Sequence, residues 1–215
     1  MKKIRLITFA IFISLVLTSC SSPLITYLTT PSGGILFKED FSDVSKGWSQ
    51  VVESHGIMNY DENGYRMWVN TPGYNYWSTA GLNFSDVIME VDASRLSGPE
   101  ENRFGLICRY QDAENYYFFI ISSDGYFGIG KVFNGETTLL GQEMMTHYPG
   151  ILPGESLNHL KANCIGDNLS LFINGQPVAM TTDADLVGGD VGLMAGAFEK
   201  TGVDILFDNF IVIKP

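Results

Sequence analysis

The fold is decided by residues 102–135, NRFGLICRYQDAENYYFFIISSDGYFGIGKVFNG. Two runs of β-branched and aromatic residues, Phe104 to Tyr110 and Tyr116 to Ile121, flank a polar pentapeptide. Such runs bounded by turn residues predict strands. Ser123-Asp124-Gly125 then turns the chain into a third run, Tyr126 to Phe133. The stretch therefore predicts three consecutive antiparallel strands at the centre of an all-β domain.

The same alternation of apolar runs and turns continues on both sides. Asp61-Glu62-Asn63-Gly64 is a turn cluster, and Asn174-Gly175 is a strong two-residue hairpin turn. The 215 residues suit one domain, and 23 glycines with only 17% charged residues are typical of a turn-rich β protein. We expect one β domain over residues 35–215.

The N-terminal residues predict export. Residues 1–5 are basic, Leu6 to Leu17 are apolar, and Leu17-Thr18-Ser19-Cys20 resembles the lipobox of bacterial lipoproteins. The resemblance implies that residues 1–19 are a signal peptide and that Cys20 is acylated, which would anchor the protein to the cell membrane or the outer membrane. A signal peptide with a chance cysteine is the alternative. Residues 20–34, rich in Ser, Thr, Pro and Gly, predict a flexible tether after the lipidated Cys20.

The charge excludes nucleic acid as a partner. The chain has 13 basic and 24 acidic residues. Removal of residues 1–19 takes away Lys2, Lys3 and Arg5, so 10 basic residues remain against 24 acidic ones, a formal charge of −14. Such a surface repels phosphate backbones. Neutral glycans, cations and envelope proteins are not ruled out as partners.

The two remaining cysteines, Cys108 and Cys164, both fall in predicted strands. An even pair in an exported protein favours a disulfide. Two buried free thiols that act as small hydrophobes are the alternative.

Several motifs in order resemble the concanavalin A-like lectin/glucanase family, and the laminin-G-like and keto-disaccharide-hydrolase-like branches in particular. They are KEDFSD at 38–43, GW at 47–48, FGLICRY at 104–110, GDNLSLFING at 166–175, VGL at 191–193 and FDNF at 207–210. The resemblance implies a jelly roll, a two-sheet antiparallel β-sandwich in which one concave outer surface often binds sugars. Fold alone does not settle function.

The candidate catalytic residues are Glu90 and Asp92, which alternation places on one face of a strand. They look like the start of the Glu-x-Asp-x-x-Glu signature of the laminarinase-like branch, but Arg95 stands where the last Glu belongs. A glycosidase needs two carboxylates across the sugar bond. We therefore favour a solvated strand face and a non-catalytic protein, with a glycoside hydrolase of non-standard carboxylate pair as the alternative.

Metal sites are weakly indicated. His55, His147 and His159 share no zinc-ligand spacing. The resemblance implies that a structural calcium could lie near Asp40, Asp43 and Asp208, since many jelly rolls carry one. Ordinary turn aspartates are the alternative, and no cofactor is required.

The candidate ligand-binding residues combine rings with polar groups, as sugar recognition requires. They are Arg66, Trp68, Asn70, Tyr74, Tyr76, Trp77 and Arg109. The alternative is that most of these rings pack in the core. We expect a non-catalytic carbohydrate-binding module that holds glycan by aromatic stacking, with a structural or protein-interaction module of the cell envelope as the second hypothesis.

Overall fold

A computed structural model describes residues 23–61 and 64–215. The predicted signal peptide, the predicted lipidation site Cys20 and the turn residues Glu62 and Asn63 lie outside the described residues. The described chain forms sixteen β-strands, one α-helix and one 3-10 turn, which confirms the all-β prediction. None of the described helices is long and apolar enough to span a membrane.

The strands form two antiparallel sheets. Within the described residues, sheet A has nine strands: β1 (Ile35–Glu39), β2 (Val51–Glu53), β3 (Gly56–Asp61), β4 (Gly64–Val69), β6 (Val87–Ser97), β12 (Leu157–Ile165), β13 (Asn168–Ile173), β14 (Gln176–Thr182) and β16 (Val203–Ile213). Sheet B has seven: β5 (Asn75–Thr79), β7 (Asn102–Asp112), β8 (Asn115–Ile121), β9 (Tyr126–Phe133), β10 (Glu136–Leu139), β11 (Thr146–His147) and β15 (Asp190–Ala197).

The strand order mixes distant parts of the chain. Sheet A runs β14-β13-β12-β6-β16-β4-β3-β2, and β1 also pairs with β16. Sheet B runs β10-β9-β8-β7-β15-β5, with β11 on β9. The first and last strands pair with each other, since Lys38 lies opposite Ile211. The two sheets form a jelly-roll sandwich.

The central meander β7-β8-β9 is present as predicted, with Leu106 opposite Phe119 and Phe119 opposite Ile129. Because side chains alternate along a strand, one face of each strand points into the core. On β6 the buried residues are Val87, Met89, Val91 and Ala93. The core therefore lies between the two sheets.

A disulfide joins Cys108 to Cys164, the pair indicated by the sequence. Cys108 belongs to β7 of sheet B and Cys164 to β12 of sheet A, and both are fully buried. The bond therefore crosses the core and ties one sheet to the other.

The described part of the predicted tether is not extended, because Pro23–Thr29 forms the helix α1. The Tyr27 hydroxyl donates to the carbonyl oxygen of Asp86 (3.2 Å). The Lys214 ammonium donates to the carbonyl oxygens of Tyr27 and Thr30, both at 2.8 Å. A cation that satisfies the last carbonyls stabilises a helix end. The chain before β1 is therefore held against the domain.

Candidate ligand-binding groove

The outer face of sheet B is apolar, although a sheet that faces water usually has polar residues there. Its buried residues form a second cluster, separate from the core: Ile107, Tyr116, Phe118, Ile120, Val132 and Met194. Trp77, Tyr110, Leu139 and Met145 pack against this cluster and are only partly buried. The face thus carries rings and aliphatic side chains where solvent-facing polar residues would be expected.

Glycine on the neighbouring strands makes room for these large side chains. Gly130 of β9 lies opposite Phe118 of β8. A Cβ on Gly130 would lie 2.3 Å from Cζ of the Phe118 ring, far inside van der Waals contact. The ring can therefore lie across the adjacent strand, which leaves a depression in the sheet surface.

The depression is a groove of about 410 Å³. Its lining includes Tyr116, Phe118, Ile120, Val132 and Met194 from the sheet, Thr137, Leu139 and Met145 on one side, and Gly73, Asn75, Arg103 and Phe198 at one end. Tyr116 and Phe118 are only 4% and 5% exposed, so they form the floor of the groove. Burial also raises the pKa of the Tyr116 hydroxyl, which keeps that group protonated.

Arg103 is the charged residue among the described residues that line the groove. Its Nε donates to Oδ1 of Asn75 (2.6 Å), and its Nη2 donates to the carbonyl oxygens of Gly73 (3.3 Å) and Ala197 (3.2 Å). The guanidinium carbon lies 4.5 Å from the centre of the Phe198 ring. Burial lowers the pKa of Arg103 from its ordinary value, although the group stays charged at neutral pH. The side chain is thus fixed in one orientation.

A row of rings continues from the groove. Trp77 lies on the same outer face, and its Nε1 donates to the Tyr110 hydroxyl (3.1 Å). The Trp77 ring is 6.2 Å from Tyr116, and the Tyr110 ring is 5.7 Å from Tyr116. Trp77 is therefore the residue of the predicted ligand-binding set that adjoins the groove.

Three members of the predicted ligand-binding set, Arg66, Trp68 and Asn70, lie on or beside sheet A, away from the groove. Arg66 and Trp68 belong to β4 and point outward from sheet A. Arg66 forms a two-pronged ion pair with Asp204, with Nε–Oδ1 of 2.8 Å and Nη2–Oδ2 of 2.6 Å, and these hydrogen bonds raise the pKa of Arg66. The Asn70 amide donates to the carbonyl oxygen of Ser54 (3.5 Å). The Arg66 guanidinium and the Asn70 amide are therefore engaged within the protein.

The last three members of the predicted ligand-binding set, Tyr74, Tyr76 and Arg109, lie in three different surroundings. Tyr74 is exposed in the loop before β5 and stacks on His55, with ring centres 5.8 Å apart. Tyr76 points into the core and is 6% exposed. Arg109 is buried, and its guanidinium donates to the carbonyl oxygens of Ser85, Leu186 and Gly166. The seven residues therefore do not form one face.

Glu90 and Asp92 lie on the outer face of sheet A, away from the groove. Asp92 Oδ1 is 2.8 Å from Nδ1 of His159, and Asp92 Oδ2 accepts from the Asn209 amide (3.0 Å). Glu90 Oε1 is 3.2 Å from the Lys161 ammonium. Both carboxylates are therefore paired with side chains of the neighbouring strands. This is the arrangement expected on a solvated, charged strand face.

The aspartates predicted near calcium serve in turns. Asp40 accepts from the backbone N–H (3.1 Å) and hydroxyl (2.6 Å) of Ser42, and Asp43 does the same with Ser45 (3.0 and 2.6 Å). These hydrogen bonds lower the pKa of both carboxyls, and those from the serine hydroxyls have the largest effect. Asp208 accepts from the backbone N–H of Asn209 (2.6 Å). In residues 23–61 and 64–215, no group of three or more His, Cys, Asp or Glu could hold a metal ion.

The groove itself was missed by the sequence analysis, although a signal was present. The run Tyr116 to Ile121 contains no polar residue, so both faces of β8 are apolar. One face fills the core, and the other requires a second apolar environment. Arg103, Asn75 and Phe198 gave no such signal, because only the pairing of β7, β15 and β5 brings them together.

No family model matches the chain, and no curated protein sequence matches it. Solved structures do match. The carbohydrate-binding module CBM66 from Bacillus subtilis has a TM-score of 0.58 at 17% identity, covering 85% of this chain and 96% of that one. A B. subtilis protein of unknown function with a galectin-like fold has a TM-score of 0.65 at 15% identity, covering 86% and 97%. A GH16 protein from the mixed-linkage glucan locus of Bacteroides ovatus, in complex with its G4G4G3G product, has a TM-score of 0.61 at 10% identity, covering 83% and 100%. The chain thus has the concanavalin A-like jelly-roll fold.

Proposed function

We propose that this protein is a lipid-anchored, extracytoplasmic carbohydrate-binding module without catalytic activity, and that it binds glycan in the groove of sheet B. The observation that carries the proposal is the groove of about 410 Å³, where a floor of rings meets polar groups at its edge. A pyranose presents an apolar C–H face and a rim of hydroxyls, which need such a combination. Arg103, Asn75 and Thr137 supply the polar groups.

The fold supports a glycan over other small ligands. Two of the structures with this fold are a carbohydrate-binding module and a GH16 protein in complex with an oligosaccharide product. Because the groove lies on the open outer face of a sheet and not in an enclosed cavity, it suits one stretch of a longer chain.

The groove lining argues for binding without hydrolysis. Among the described residues that line it, none is Asp or Glu. Glycoside hydrolysis requires a pair of carboxyl groups beside the scissile bond. Glu90 and Asp92 lie on the other sheet, so they do not supply that pair.

The lipid anchor follows from Cys20, and α1 suggests how the domain would be oriented. α1 begins at Pro23 and docks beside Asp86, next to the start of β6. β6 has 11 residues, a length of about 35 Å, and the chain then enters β7 at Asn102. Arg103 therefore lies at the end of the sandwich opposite α1. With Cys20 in the membrane, this end of the groove would face outward.

The anchor is tested with Cys20→Ser. We expect the wild-type protein to take up an alkyne-labelled fatty acid and to fractionate with membranes. Cys20→Ser should lose the label and appear in the soluble fraction. Labelling of both proteins would contradict lipidation at Cys20.

The binding site is tested on a broad array of immobilised polysaccharides with two variants that remove one ring each. Phe198→Ala alters the end of the groove, whereas Trp68→Ala is the matched control on the outer face of sheet A. We expect retention of at least one glycan, weakened by Phe198→Ala and unchanged by Trp68→Ala. Retention weakened by Trp68→Ala and unchanged by Phe198→Ala would place the site on sheet A. Absence of any retention would favour a structural or protein-interaction role in the envelope, and turnover of a glycan would favour a glycoside hydrolase.

A further inference from the structure

Arg103 differs from the other described arginines in its lack of a carboxylate partner. Arg66 pairs with Asp204 (2.6 Å), Arg95 with Glu100 (3.3 Å) and Arg109 with Asp86 (3.3 Å). Within residues 23–61 and 64–215, no carboxylate oxygen lies within 4.0 Å of Arg103. The chain has 24 acidic residues against 13 basic ones. The unpaired charge therefore does not reflect a shortage of carboxylates.

The hydrogen bonds of Arg103 leave part of the guanidinium free. Nε and Nη2 are used by Asn75, Gly73 and Ala197. Nη1 has no acceptor among the described residues, and it is not one of the buried atoms without a partner. Its two N–H groups are therefore accessible to a ligand in the groove that Arg103 lines.

The surroundings hold the guanidinium in place. A Cβ on Gly196, opposite Arg103 in the sheet, would lie 2.0 Å from Asn75 Oδ1 and 2.7 Å from Arg103 Nε. Gly196 thus leaves the space that the Asn75–Arg103 pair occupies. The planar group is fixed by this pair and by the Phe198 ring before any ligand arrives, so little conformational entropy is lost on binding.

We propose that the glycan bound in the groove is acidic, and that its anionic group, a carboxylate or a sulfate ester, binds Nη1 of Arg103. This inference rests on the proposed glycan-binding function and specifies its ligand class. A cation that is partly withdrawn from water and has no counter-ion gains most from an anionic ligand, because hydrogen bonds between charged groups are the strong ones. Since none of the described residues that line the groove is Asp or Glu, no carboxylate among them opposes the ligand. Fixed charges more than about 8 Å away are largely screened at physiological ionic strength, so binding of one anionic group depends on the local guanidinium more than on the net charge of the protein.

The test compares each acidic glycan with its neutralised form, because the two then differ only at the anionic group. The full chain, purified in detergent, is titrated calorimetrically with polygalacturonate, alginate and hyaluronan oligosaccharides and their carboxyl-reduced forms, and with a sulfated galactan and its desulfated form. We expect at least one acidic glycan to bind about tenfold or more tightly than its neutralised form. Preference within the carboxylate pairs or within the sulfate pair would identify the anionic group.

Two outcomes would overturn the inference in different ways. Equal binding of acidic and neutralised forms would contradict the anionic ligand while leaving glycan binding intact. Binding of none of these probes, together with none on the polysaccharide array, would contradict the proposed function as well.

Variants locate the charge that is responsible. Arg103→Gln should weaken acidic glycans about ten- to a hundredfold and weaken their neutralised forms much less, whereas Arg103→Lys should retain part of the affinity for acidic glycans. Lys46→Gln removes an exposed cation with no ion-pair partner among the described residues and should change nothing. An equal loss in Arg103→Gln and Lys46→Gln would show a general charge effect and contradict the site. If Arg103→Gln does not fold, the comparison of acidic and neutralised glycans still shows whether the ligand is anionic, because that comparison uses the wild-type protein.

Discussion

The ring of Phe118 occupies the space that a side chain on Gly130 would need: a Cβ there would lie 2.3 Å from the ring atom Cζ. The two residues face each other on β8 and β9. The shape of the groove floor therefore depends on a glycine in the neighbouring strand.

Gly130→Ala should displace the Phe118 ring and lower the free energy of unfolding by about 1–3 kcal/mol, the usual cost of overpacking. Urea denaturation measures the change. The double variant Gly130→Ala/Phe118→Leu should recover part of it, because the smaller side chain relieves the clash. Strictly additive losses would show that Phe118 is not the obstacle.

Loss of the disulfide should destabilise the protein strongly. Cys108 and Cys164 are separated by 56 residues, and a loop of that length corresponds to about 4 kcal/mol of lost unfolded-state entropy. The double variant Cys108→Ala/Cys164→Ala should unfold at a correspondingly lower urea concentration. A reducing agent should destabilise the wild type and leave the double variant unchanged; an equal response of both proteins would contradict a disulfide at this position.

Lys214→Gln should release α1 without unfolding the domain. The ammonium holds the carbonyl oxygens of Tyr27 and Thr30, and charged hydrogen bonds contribute about 1.5–3 kcal/mol. Amide hydrogen exchange of residues 24–33 should become faster, while exchange in β6 and β7 stays slow. Lys200→Gln, which removes an exposed cation, is the control. Unchanged exchange in α1 of Lys214→Gln would show that Lys214 does not hold the helix.

Stability should fall at alkaline pH, partly because of Tyr117. The pKa of Tyr117 is raised to about 12, mainly because the hydroxyl is buried and secondly because it donates a hydrogen bond to Asp183. The unfolded chain releases this proton near pH 10. Above that pH the unfolded state binds fewer protons than the folded one. The contribution of Tyr117 to the free energy of unfolding is therefore complete below about pH 10 and is lost as the pH rises to about 12.

The measurement that checks this is the free energy of urea unfolding between pH 9 and 11. Tyr117→Phe should show a smaller decrease than the wild type. Some decrease should remain, because burial also raises the pKa of Tyr65. Identical slopes for the two proteins would contradict the role of Tyr117.

Much of the fold was predictable because it depends on local patterns. The β7-β8-β9 meander followed from apolar runs bounded by turn residues, and the turn between β13 and β14 followed from Asn174-Gly175. The helix α1 was not predicted. Its seven residues, PLITYLT, are too few to form a stable helix alone. The contacts that stabilise this helix come from Asp86 and Lys214, far away in the sequence.

The candidate site was less predictable, since it depends on which sheet each strand joins. Trp68 and Trp77 are nine positions apart, yet β4 enters sheet A and β5 enters sheet B. Alternation shows which residues share a face of one strand, but it does not show which strands lie side by side. The pairing of β5, β15 and β7 brings Asn75 beside Arg103, and it is a long-range property of the fold.

The most direct test of the central claim, that glycan binds in the groove of sheet B, uses methionine methyl NMR. Met145 and Met194 line the groove, whereas Met180 is exposed on β14 of sheet A. With ¹³C-methyl-labelled protein and a glycan retained on the array, we expect the Met145 and Met194 signals to shift and saturate together while Met180 stays fixed. A saturable shift of Met180, with Met145 and Met194 unchanged, would place the binding site elsewhere and contradict the account.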